Sequence, residues 1–164
     1  MIKETMTHIF FWNGQFSQWE NSPFADNGII FSTAEQYMMY NKAILFGDDV
    51  TANQIIATKD PSRQKFLGRQ VLGFKDEVWN AQKFEIVVKG NILKFSQNEE
   101  LKKNLLLTGA KILVEGSPYD KVWGVGLNWD DPKILEESNW KGENLLGKAL
   151  IEVRKQLLNE KALS

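Results

Sequence analysis

The segment Ser32-Thr33-Ala34-Glu35-Gln36-Tyr37-Met38-Met39-Tyr40-Asn41-Lys42-Ala43-Ile44-Leu45-Phe46 restricts the folds open to this chain more than any other. Ser32 or Thr33 can accept a bond from an unpaired amide at the start of a helix, and Glu35 or Gln36 follows three residues later, which is the pattern of a capping box. The sequence therefore predicts a helix beginning here. Glu35 and Lys42 are seven residues apart, so at about 100° per residue they project within ~20° of each other, two turns apart. Met38, Met39 and Phe46 lie on the same face, so an acid and an amine share a surface that otherwise packs inward. Two readings are open: a solvated rim with a weak salt bridge, as for most helical charges, or a site that uses both groups.

A chain of 164 residues fits one domain whose core needs no covalent staples. With 43% hydrophobic and 25% charged residues it is not a disordered chain. Twenty basic residues against twenty-one acidic ones leave a net charge of -1, so no overall field draws the protein to a nucleic-acid backbone or an anionic membrane. A nucleic-acid ligand would have to be recognised locally. There is no cysteine and one histidine, His8, and no Asp/Glu cluster has ligand spacing, so neither a disulfide, a thiolate nucleophile nor a metal centre is expected. Met1 to Met6 lacks the apolar core of a signal peptide and no run approaches ~20 apolar residues, which makes the cytoplasm the expected compartment and leaves no membrane partner. Six Trp, ten Phe and three Tyr are the compositional anomaly. Most of the phenylalanines read as core, but tryptophans beside Asn, Gly and Asp can wall a pocket for a flat ring.

Taken in order, short strands are expected over His8 to Trp12 and Gly28 to Phe31, with the loop from Phe16 to Phe24, carrying Trp19, between them. That loop is either a packed connection or one that closes over a pocket. Helices follow over 50–59 and, after Asp60 and Pro61, over 62–71. Gly68 inside the second costs about 1 kcal/mol relative to Ala and marks a close approach. Arg69 beside it either clamps a phosphate or lies on the surface. A central helix over 76–95 presents Trp79, Lys83, Ile86, Gly90 and Leu93 on one face and Phe84, Val88, Ile92 and Phe95 on its neighbour. A helix over 99–107 ends at Thr108-Gly109, and a strand covers 112–115.

The stretch Glu115-Gly116-Ser117-Pro118-Tyr119-Asp120-Lys121-Val122-Trp123-Gly124-Val125-Gly126 is the second informative one. It reads as a turn whose glycines let backbone approach a ligand, and Asp120 and Trp123 set a carboxylate beside a flat wall. It lacks the strand–GxGxxG–helix context of a dinucleotide fold. A brief helix runs from Asp131-Pro132 to near Ser138, and the last helix carries the stripe Leu146, Ala149, Leu150, Val153 and Leu157. Asn144 at its entry either caps the helix or offers an anion position. With no repeat or linker, the expected architecture is a single α+β domain over 1–164, mainly α-helical with a few short strands and a core of about 8–158.

Together, the TAEQYMMYNKA helix, KFLGR, Lys94-Phe95, LLLTG, LVEGSPYD, VWGVGL and WKGENLLGKALIEVR resemble the YbiA-like, or NADAR, family of riboflavin-intermediate N-glycosidases, from about Phe10 to Arg154. The resemblance implies a mostly helical domain that cleaves the bond between ribose C1 and an amine or base nitrogen. The implied substrates are ribosylamino-pyrimidine 5'-phosphates and, in other branches, ADP-ribose attached to guanine. By similarity, the site would comprise Glu35, Lys42, Arg69, Asp120, Trp123, Gly124 and Asn144. One departure is Phe16-Ser17-Gln18-Trp19, where relatives have Ser-Asn-Phe.

Glycosidic cleavage passes through an oxocarbenium-like transition state, so negative charge is needed near C1 and a proton for the departing nitrogen. Glu35 is the candidate for proton transfer and Asp120 for activating water. Lys42 opens a second route, because an amine can exchange into a ring-opened ribosylamine and hold the sugar as a Schiff base. That requires a neutral amine, and a nearby Glu35 favours the ammonium instead. Arg69 and Asn144 would meet a phosphate, while Trp123, Trp79 and Trp19 would stack on the base. No cofactor or metal is required, water is the only co-substrate, and the protein is expected to be a monomer. The alternatives are a hydrolase that removes ADP-ribose from guanine in nucleic acid, and a non-catalytic module that binds ADP-ribose or a nucleotide.

Overall fold

In the computed structural model, which describes residues 1–163, the capping segment forms helix α1, Ala34–Leu45. Thr33 is the N-cap, and its Oγ1 accepts from the Gln36 amide at 3.0 Å. Gln36, not Glu35, closes the motif: its Oε1 accepts from the Ser32 amide at 2.7 Å and from Ser32 Oγ at 3.1 Å. Its Nε2 donates to the carbonyls of Ile55 and Thr58, each at 2.9 Å. The fully buried Gln64 accepts from Thr33 Oγ1 at 2.6 Å and donates to the Thr58 carbonyl at 2.9 Å. A carboxamide buried without partners would cost about 1–3 kcal/mol per group, so two satisfied ones fix the start of α1 in a single arrangement.

The architecture is α+β and helix-rich, with six α-helices and five short strands among the described residues, and the chain forms two compact units. The first to be described is Gln18–Asn98. Strands β3 (Phe24–Asp26) and β4 (Ile29–Phe31) pair antiparallel. Asn27 and Gly28 join them with φ of +49° and +81°, the left-handed pair that a two-residue hairpin turn requires. Helices α2 (Asp49–Ile56), α3 (Pro61–Gly68) and α4 (Asp76–Ser96) follow α1. Both α2 and α3 stop about one turn short of their expected ends. Phe24, Phe31 and Tyr37 form the core of this unit with Ile29, Tyr40, Ile56, Ile86 and Leu93 against them. The two helical glycines let α1 pack closely: a methyl at Gly68 would run into Met39 Sδ, and one at Gly90 would lie 2.5 Å from the Tyr37 ring.

The second unit comprises residues 1–17 and those from 99 onward. Its sheet has the order β1-β2-β5, with β1 (Ile2–Glu4) antiparallel and β5 (Ile112–Glu115) parallel to β2 (His8–Phe11). Helices α5 (Glu99–Leu107) and α6 (Leu145–Leu163) complete it. The expected stripe of α6, Leu146, Ala149, Leu150, Val153 and Leu157, is wholly buried. Phe10, Val114, Val125, Leu127 and Ile134 form a further core cluster with Trp140 packed against it. The helix expected after Asp131 resolves into two 3-10 turns, Pro132–Leu135 and Glu137–Asn139.

Candidate active site around Glu35 and Lys42

Glu35 stands in the first turn of α1 and is 4% exposed. Its amide donates to the Gln18 carbonyl at 2.9 Å, and the Gln18 side chain accepts from Asn91 Nδ2 of α4 at 2.9 Å. Gln18 thus ties the Glu35 backbone to α4. Two turns along, Lys42 is half-buried, with Nζ 4.5 Å from the centre of the Phe74 ring and 5.5 Å from that of Trp79. Burial, the largest influence, pushes the Lys42 amine below its ordinary value; the Glu35 charge pulls it back up, Arg69 lowers it further and Asp76 raises it. Burial therefore outweighs the carboxylates, and the net shift is downward.

The structure thus sets three of the expected residues about a fourth, Lys42: Glu35 and Arg69 act on its amine electrostatically and the Trp79 ring lies beside it. Two more were missed by sequence reasoning: Phe74 and Asp76, at the entry of α4. The available signal was an aromatic and an acid within five residues of Trp79. Arg69 is exposed at the C-cap of α3. The segment that carries Phe74 is fastened by Asp48, which caps α2 through the Thr51 amide at 3.1 Å and accepts from the Leu72 amide at 2.9 Å. Those bonds hold the Asp48 carboxyl below its ordinary range. Trp19 is 42% exposed. Its loop is pinned by a bond of 3.0 Å from the Ser22 amide to the Ser32 carbonyl and by Asn98 Nδ2 on the Pro23 carbonyl at 3.3 Å.

The remaining expected residues belong to the other unit, where the structure gives their polar atoms different partners. Asp120 Oδ1 accepts from the amides of Val122 and Trp123 at 2.9 and 2.8 Å, and Ser117 Oγ accepts from those of Tyr119 and Asp120. The turn is therefore held by its own side chains. Trp123 is half-buried. Gly124 is buried, and a methyl there would lie 2.9 Å from the Asp120 carbonyl and 3.1 Å from that of Glu115. The close approach that this glycine permits is made by the chain's own backbone. Asn144 has φ of +54° and is 3% exposed. Its Oδ1 accepts from the Glu115 amide and its Nδ2 donates to the Leu113 carbonyl, both at 3.0 Å. The amide thus completes the outer edge of β5, whose other edge pairs with β2.

Among the described residues no group of three or more His, Asp or Glu could hold a metal ion, and no helix is long and apolar enough to cross a membrane. The NADAR domain family model matches residues 10–158. N-glycosidase R617 of Acanthamoeba polyphaga mimivirus is 43% identical over 166 residues, covering 93% of this chain and 98% of that protein. N-glycosidase YbiA of Shigella flexneri serotype 5b is 31% identical over 148 residues, covering 90% and 84%. The NMR structure of the E. coli protein YbiA matches with a TM-score of 0.80 at 29% identity, over 98% of this chain and 90% of that one. These relatives define the class: an N-glycosidase, a hydrolase acting on N-glycosyl compounds. The chain belongs to the NADAR domain family.

Proposed function

We propose that the protein hydrolyses the ribose C1–N bond of phosphorylated ribosylamino-pyrimidines, the riboflavin intermediates to which the family resemblance points, and releases ribose 5-phosphate. The observation that carries this reading is the Lys42 amine, lowered by burial while an inward Glu35 shares its helix face. A surface salt bridge would instead keep the amine in water and raise its pKa.

In the proposed sequence the neutral Lys42 amine adds to C1 of the ring-opened substrate. Glu35 passes a proton to the pyrimidine-bearing nitrogen, the C1–N bond breaks, and the aminopyrimidine leaves as a neutral amine. The sugar remains on Lys42 as a protonated Schiff base. Water adds to C1, Glu35 takes up a proton, and collapse of the carbinolamine returns the lysine and releases the aldehyde sugar. Arg69 offers a bidentate partner for the phosphate. Turnover should rise with pH as the amine loses its proton and level off above the lowered Lys42 pKa.

The test is to incubate the protein separately with a ribosylamino-pyrimidine 5'-phosphate and with an oligonucleotide carrying ADP-ribosyl guanine, and to follow the released sugar by mass spectrometry. Release of ribose 5-phosphate from the first is expected. Release from the oligonucleotide alone would replace this substrate with ADP-ribosylated nucleic acid. Tight binding of either without product would indicate a binding module.

A further inference from the structure

We infer that Phe74 is the residue against which the protein stacks the base of its substrate, so that this ring selects a sugar carrying a flat aromatic group at C1 over the bare sugar phosphate. The inference rests on the proposal that Lys42 addresses C1. For bond formation C1 must come within about 3–3.5 Å of the Lys42 nitrogen, and the base nitrogen is one bond, about 1.45 Å, further on. Lys42 Nζ stands 4.5 Å from the centre of the Phe74 ring. A base attached at C1 on the side of that ring can therefore reach it.

Phe74 is also the aromatic beside Lys42 that has surface to offer. It is 39% exposed, whereas Trp79, one of the three tryptophans offered for stacking, is 8% exposed. Part of the Phe74 ring is thus open to a ligand beside the half-buried amine. The ring is nevertheless held in place. Gly73 turns the chain before it with φ of +78°, the Leu72 amide is fastened to Asp48, and the Phe46 ring meets it edge-on with centroids 5.4 Å apart. A wall for a ligand ring needs this combination of exposure and fixed orientation. Charges at Arg69 and Asp76, both felt by Lys42, leave the polar recognition to groups around the ring.

The experiment measures calorimetric binding of uridine 5'-monophosphate and of ribose 5-phosphate to the wild-type protein and to the Phe74→Ala and Phe74→Leu variants, with turnover of a ribosylamino-pyrimidine 5'-phosphate followed in parallel. The wild type should prefer the nucleotide by about tenfold to a hundredfold, as stacking on an aromatic side chain supplies. Both variants should lose that preference while binding ribose 5-phosphate within about twofold of the wild type. Leu keeps the bulk and apolar character, so its loss would identify the flat face itself. Equal binding of both probes by the wild type, or a preference that survives in both variants, would overturn the assignment. Loss of the preference in a protein that hydrolyses nothing would uphold the stacking wall and defeat the glycosidase reading; turnover with an undiminished preference in the variants would do the reverse.

Discussion

The start of α1 and the turn that leads to α6 are both rich in polar side chains, and they use them in opposite ways. At the turn, Ser117, Asp120 and Asn144 aim oxygen or nitrogen at the chain's own backbone. At α1 the capping and bracing are done by Thr33, Gln36 and Gln64. Glu35 and Lys42 stand on the same helix, one buried and one half-buried, and burial lowers the amine. A polar residue that completes a backbone bond explains its own presence. An acid and an amine that share one inward helix face, the amine lowered by burial, point to chemistry.

The comparison can be broken most directly at Lys42. Lys42→Met should lower turnover by about a thousandfold or more, equivalent to roughly 4 kcal/mol of barrier, while the melting temperature holds or rises because a partly desolvated amine has been removed. A variant that melts early and keeps its turnover would return Lys42 to the scaffold.

Lys94 provides a buried amine in the same unit that lies away from Lys42 in the sequence and serves as a contrast. It is fully buried, and burial pushes its pKa down to about 7 against an opposing pull from Glu20. Between that value and the ordinary 10.5 the unfolded chain binds more protons than the native state, so stability should rise as pH increases through this window. Denaturation series from pH 7 to 10 should show the rise, and Lys94→Met should flatten it.

Asn144→Ala should destabilise the protein by about 2–4 kcal/mol, since it leaves the Glu115 amide and the Leu113 carbonyl without their partner. A loss of ligand affinity at unchanged denaturation midpoint would put the amide back among the binding groups. The smallest effect is expected from Asp120→Asn, which keeps an oxygen for the Val122 and Trp123 amides and should change stability by less than about 1 kcal/mol. Any fall in kcat at that undisturbed stability would measure the carboxylate's part in the reaction, and so sharpen the boundary between the two regions.

Much of this was legible in the sequence, and the reason is the helical repeat. Once Thr33 caps α1, the angle between Glu35 and Lys42 is fixed by their separation of seven positions, and the buried face of α6 follows from the same arithmetic. β1 and β3 were not legible: three residues each are too short to show alternation, and pairing with a neighbour makes them strands. The task of Asn144 depends on Leu113 and Glu115, about thirty positions earlier. Gln64 was silent for the same reason, since its partners are drawn together only when α1, α2 and α3 pack. The direction of the Lys42 shift lay furthest from view, because it sets burial and Arg69 against Glu35 and Asp76, groups brought together only when α1, α3 and α4 pack.

The most direct test of the central claim is to trap the intermediate. The protein would be mixed with a ribosylamino-pyrimidine 5'-phosphate in the presence of borohydride, digested, and searched by mass spectrometry for a reduced pentose phosphate on the peptide that contains Lys42. The account predicts that adduct in the wild type and its absence in Lys42→Met. Release of ribose 5-phosphate by the wild type with no adduct, and by Lys42→Met at a comparable rate, would contradict it and favour direct attack by water.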